Sequence, residues 1–202
     1  MKMFSAIVNK MVDQWTDSKI ISETDRDVYV YGLDLVLSSV LNLLTMIATA
    51  ALCRKLPETL ILMAVVVPLQ AFGGGYHADT HLRCFLIMFI GWWCVMPLMA
   101  LITPVIATVM ICASLAVIFI FAPVPHVNVP LSEKRRQKMR RIARMLGTGS
   151  AGLSLAMLWA FSDYTYAGTA MAAGLGVIAF SMLCAWGKRL LCGCGLYSRK
   201  QE

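Results

Sequence analysis

Six apolar stretches constrain this chain more than any other feature: residues 28–52, 59–72, 85–102, 105–121, 145–162 and 167–186. A helix needs about 20 apolar residues to cross a hydrocarbon core of about 30 Å, and all but the second stretch approach or exceed that length. Backbone amides in lipid must find partners inside their own segment, so such stretches fold as helices. The expected fold class is an all-α integral membrane protein, a multi-span helical bundle forming one polytopic domain over residues 1–202. Composition agrees: 14% of the residues are charged and mean hydropathy is +0.71, against about 25% charged in soluble domains.

Residues 3–15 set Phe4, Ile7, Val8, Met11, Val12 and Trp15 at helical spacing, with Lys10, Asp13 and Gln14 between them. This predicts an amphipathic helix within residues 3–20, lying on the membrane surface or packed on the rest of the protein. Lys2, Lys10, Asp13, Asp17 and Lys19 interrupt the apolar core that a cleaved signal peptide needs. Asp34 interrupts the stretch 28–52; an acid at that depth faces protein or water and invites a functional reading.

The stretch 59–72 is broken by Pro68 and Gln70. Its helix would cover only about 21 Å. It is therefore expected to re-enter the membrane, or to extend through the polar residues that follow, over 59–76. After residue 121 comes the proline-rich "APVPHVNVP", then "SEKRRQKMRRIAR", which carries seven basic residues and one acid. Together they predict a cytoplasmic basic loop over 122–144, and residues 187–202 form a second basic tail. The positive-inside rule then puts both termini and the residues around 77–84 on the cytoplasmic side, with Arg54 and Lys55 as the exception. The net charge of +7 is explained by this orientation, without nucleic acid. The seven cysteines form no recognisable disulfide framework, and Cys53, Cys94, Cys112 and Cys184 fall in or beside apolar stretches, where thiols pack as small hydrophobes.

Between two apolar segments lies "GGGYHADTHLRC", residues 73–84. His77 and Cys84 are separated by roughly two helical turns, which would put them on one helix face about 10 Å apart. That is too far for contact. A broken turn would be needed to bring imidazole and thiol within about 3 Å, and Gly73, Gly74 and Gly75 supply the freedom for one. A thiol of ordinary pKa is only a few per cent thiolate at neutral pH; His77 would raise that fraction, with Arg83 as a nearby positive charge. A competing chemistry is open at this point. His77, His81 and Cys84 also stand at i, i+4 and i+7, a metal-ligand spacing with Asp79 close by, which would suit a metal-binding membrane transporter or sensor. A third reading is a membrane scaffold whose basic loop binds anionic lipid.

"GGGYHADTHLRCF" resembles the signature of the accessory gene regulator B (AgrB) family: a glycine-rich run, a His-Ala pair and a cysteine seven residues after the histidine. Chain size, amphipathic N-terminus, flanking apolar segments, the proline-rich "FAPVP" and the basic run resemble that family too. One departure is Gln70, where family members often carry a basic residue. The resemblance implies a cysteine endopeptidase of the bacterial cell membrane that processes a small precursor of the AgrD type into a cyclic thiolactone or lactone signal for quorum sensing. Cys84 would be the nucleophile and His77 the general base. Supporting roles fall to Asp79, Gly74, Gly75 and Arg83, with Asp34 and Gln70 as further candidates to orient His77. The Gly74 or Gly75 amide would serve as an oxyanion donor. The cations Arg135, Arg136, Arg140 and Arg141 would attract an acidic part of the precursor. Expected partners are the precursor, membrane lipid and a second copy of the chain. No cofactor, resident metal or nucleic acid is expected under this reading.

Overall fold

The computed structural model describes residues 2–76, 81–124 and 132–193, and these residues are all-α. The described residues form seven α-helices: α1 (Lys2–Asp17), α2 (Arg26–Leu52), α3 (Leu56–Gly73), α4 (His81–Leu98), α5 (Pro104–Phe121), α6 (Glu133–Trp159) and α7 (Thr165–Gly193). Single 3-10 turns at Glu23–Asp25, Met99–Leu101 and Ser162–Tyr164 join some of them. Among the described residues, five helical stretches are long and apolar enough to cross a membrane: Glu23–Leu52, Leu56–Gly73, Leu82–Leu101, Pro104–Phe121 and Thr165–Lys188. Large apolar side chains such as Val36, Leu44, Ile90, Val109, Ile120 and Phe180 face outward, as lipid-facing residues do.

The chain divides into two units, Met1–Thr49 and Ala50–Glu202. In the first, Arg26 at the start of α2 ties down α1. Its Nη2 and Nε donate to Asp13 Oδ1 at 2.6 and 2.9 Å, and Nη2 also reaches Asn9 Oδ1 at 3.1 Å. Val8 and Val12 are fully buried while Ile7 and Met11 stay exposed. The apolar face of α1 is thus partly covered by protein.

The second unit is built around α7, which packs on α3, α5 and α6. Small residues let the backbones approach, the usual device where lipid removes the hydrophobic drive between helices. A side chain at Gly174 would stand 3.2 Å from the Leu62 carbonyl, and one at Gly168 would stand 3.0 Å from that of Ser154. The Ser154 hydroxyl donates to the Gly168 carbonyl at 2.7 Å. At that same end Trp159 Nε1 donates to Thr108 Oγ1 at 3.2 Å, and Trp92 Nε1 donates to Thr59 Oγ1 at 3.0 Å. Thr59 lies in the first turns of α3, and Trp92 in the second half of α4. The start of α3 and the second half of α4 therefore meet through these two side chains.

Two boundaries differ from the sequence expectation. The short stretch 59–72 becomes an 18-residue helix by extending backward: Pro57 sits in the first turn of α3, where its missing amide costs nothing. Eighteen residues rise about 27 Å. The basic run, expected inside a loop over 122–144, is helical from Glu133. Its helix, α6, continues through the expected membrane segment 145–162 and runs from Arg140 beside Ala122 to Trp159 beside Thr108, but it is not among the five stretches long and apolar enough to cross a membrane.

Candidate functional site

The polar run starts where α3 ends. Gly74 adopts φ +74° and ψ −174°, backbone that essentially only glycine takes without strain. Its amide caps the helix by donating to the Gln70 carbonyl at 3.1 Å, and the Gly73 carbonyl accepts from the Val124 amide at 2.9 Å. The three glycines are closely packed. An added Cβ would meet Met182 Cε at 2.5 Å from Gly73, the Val124 carbonyl oxygen from Gly74, and Ser181 Oγ at 2.7 Å from Gly75. Gln70 stands beside Gly75. One residue further, the Tyr76 amide donates to Ser181 Oγ at 2.9 Å, and Lys188 Nζ lies 5.5 Å from the centre of the Tyr76 ring. The glycines thus permit close approach of α7 and of the Ala122–Val124 segment, where the sequence suggested only local freedom.

His77 and Asp79 lie outside the described residues, as does the side chain of His81. The separation of His77 from Cys84, and the candidate metal set of His77, His81 and Cys84, fall there with them. Cys84 is described: it sits in the first turn of α4, half-buried, with Arg83 exposed beside it. None of the described cysteines is disulfide-bonded. Since the Gly74 amide caps α3, the Gly75 amide, which has no acceptor among the described residues, is the better candidate to meet a ligand. Asp34 lies in α2, in the first unit.

The cations of α6 divide into two groups. Arg140 Nε donates to the Ala122 carbonyl at 3.0 Å, and Arg144 Nη2 donates to the Phe119 carbonyl at 2.8 Å with its guanidinium 4.9 Å from the Phe119 ring centre. These two satisfy carbonyls at the C-terminal end of α5, which lack donor partners inside the helix. Arg135, Arg136 and Arg141 are exposed; Arg136 lies 3.6 Å from Glu133. They stand at the end of the bundle that holds Gly73–Tyr76, because Ala143 of the same helix packs 3.7 Å from the Cβ position of Gly73. Ser181, Lys188 and Val124 were not found from sequence. The only signal was a serine within an apolar helix.

These features define a multi-pass, all-α membrane protein with a polar glycine-led segment and a cysteine at one end of its bundle. Residues 4–185 match the family model of accessory gene regulator B, and the chain belongs to that family. Membership gives it a role in the accessory gene regulator quorum-sensing system, in the processing of a precursor peptide of the AgrD type. No curated protein and no solved structure matches the chain.

Proposed function

We propose that the chain is a membrane cysteine endopeptidase that cuts its precursor through an acyl-enzyme thioester and closes the part held on the enzyme into a ring. His77 takes the thiol proton of Cys84, and the sulfur attacks a precursor peptide carbonyl. The tetrahedral oxyanion is met by the Gly75 amide. Collapse breaks the C–N bond; the amine of the C-terminal fragment leaves with the proton returned by His77. An internal thiol or hydroxyl of the precursor then attacks the thioester, forming a thiolactone or lactone and regenerating Cys84. The apolar surroundings slow competing hydrolysis, and tethering favours the internal nucleophile.

The observation that carries this reading is the position of Cys84 in the first turn of α4, eight residues after Tyr76. The second half of α4 meets the start of α3 through Trp92 and Thr59, which supports an α4 that folds back along α3 and a Cys84 near Gly73–Tyr76. A helix N-terminus also favours negative charge nearby. The exposed cations of α6 at that end support a cytoplasmic site by the positive-inside rule. The test is cleavage of a purified precursor in proteoliposomes, with mass spectrometry of the enzyme. Cys84→Ala and His77→Ala should abolish cleavage with insertion intact, and Cys84→Ser should lose most activity. Wild type should carry a hydroxylamine-labile adduct of the precursor's N-terminal part. Normal processing by Cys84→Ala would falsify the assignment.

A further inference from the structure

We infer that Ser181 of α7 is a positioning residue for the reaction, holding the backbone that leads into His77. The inference rests on the reading of His77 and Cys84 given above, but its geometry stands apart from it. Ser181 Oγ accepts the Tyr76 amide at 2.9 Å, across 105 residues of sequence. The same oxygen abuts Gly75, whose added Cβ would stand only 2.7 Å away. One hydroxyl thus fixes two consecutive residues, and the next in sequence is His77.

The rest of that backbone is held on its other side. Gly74 caps α3 through Gln70, and Gly73 is bonded to Val124. Beyond Gly74, the Tyr76 amide is held by Ser181. A part-buried backbone amide needs such a partner. The Met182 side chain, buried next to Ser181, fills the space over Gly73. The space over Gly73 is therefore filled by an apolar side chain, while the Ser181 hydroxyl contacts the two residues that lead into His77. The serine hydroxyl reaches the Tyr76 amide from directly beside Gly75.

Removing the hydroxyl leaves a small alanine in a helix already rich in alanine and glycine, so folding survives. Misplacing a catalytic group by a fraction of an ångström lowers turnover without changing how substrate is gripped elsewhere. Two readouts on the full-length protein in proteoliposomes test this. The first is hydrogen exchange at the Tyr76 amide, which needs no activity: Ser181→Ala should accelerate it about ten-fold or more, and Ser181→Thr, which keeps an acceptor, should not. The second is precursor cleavage: Ser181→Ala should lower kcat about ten-fold with KM within about two-fold, and Ser181→Thr should restore most of the loss. Unchanged exchange in Ser181→Ala overturns the contact. Faster exchange with unchanged kcat overturns the positioning role. Full cleavage by Cys84→Ala would instead sink the endopeptidase reading and leave the exchange result standing, so the two failures are distinguishable.

Discussion

The Val124 amide donates to the carbonyl of Gly73 at 2.9 Å, and the Val124 carbonyl occupies the space where a side chain on Gly74 would stand. Two segments far apart in sequence therefore meet backbone to backbone at the start of the polar run. With φ at +74°, Gly74 cannot be replaced cheaply. Gly74→Ala should cost about 1–3 kcal/mol in backbone strain alone, with the collision at Val124 added to it. The expected outcome is a lower midpoint of thermal unfolding in detergent and a loss of precursor cleavage. An alanine variant with unchanged melting would show that the contact with Val124 is not made.

The basic residues of α6 should not behave alike. Arg140 is engaged with the Ala122 carbonyl, while Arg135, Arg136 and Arg141 face solvent. Replacing these three with Gln should raise KM for an acidic precursor at low salt and leave kcat little changed. High salt should erase the difference, because exposed charges are screened beyond about 8 Å at physiological ionic strength. Arg140→Gln should act mainly on stability, by about 1–2 kcal/mol, through the carbonyl it leaves without a charged donor. Equal KM effects from Arg140 and Arg141, measured one at a time with labelled cysteines reporting topology, would argue against this division.

Protease and metal site make opposite forecasts for His81. Under the endopeptidase reading His81→Ala keeps most of the activity that His77→Ala loses, and chelators do not inhibit. Stoichiometric zinc in the purified protein, lost together with activity in His81→Ala, would favour metal chemistry instead.

Five of the six expected apolar segments coincide with helices long and apolar enough to cross a membrane, because lipid demands long apolar helices, a rule written into composition. Thr103 and Pro104 marked the break before α5 for a physical reason: the Thr103 hydroxyl accepts the Ile106 amide at 3.3 Å, and Pro104 opens the helix. The basic run misled because charge density resembles a loop. In the fold it is helical, with Arg140 and Arg144 reaching back to the carbonyls that end α5. The short stretch 59–72 misled in a smaller way, since Pro57 was a helix-start signal that apolar counting passes over. Gly73, Gly74, Gly75 and Cys84 stood out locally because such residues are unusual beside membrane segments. Ser181 did not. Its partner is remote in sequence, and no local pattern records a contact of that kind.

The last prediction concerns how α4 is held. Among the described residues of this helix only Trp92 and Met96 are buried. Both meet Thr59: Trp92 Nε1 donates to its hydroxyl oxygen at 3.0 Å, and Met96 Sδ lies 3.8 Å from it. The Thr59 hydroxyl itself donates to the Lys55 carbonyl at 2.7 Å. A buried indole N–H requires an acceptor, so this short chain of bonds fixes α4 against α3. Thr59→Val removes the acceptor at nearly constant shape and leaves the indole unpaired, which should cost about 1–3 kcal/mol. Trp92→Phe removes donor and demand together and should cost nearer 1 kcal/mol. Ile90→Val, on the exposed side of α4, should cost nothing measurable. Because Cys84 rides on the same helix, Thr59→Val should also lower kcat with KM nearly unchanged. Thermal melts in detergent and cleavage assays on all three variants check the order. A Thr59→Val protein as stable as Ile90→Val would mean that α4 is anchored by something other than the Trp92–Thr59 bond.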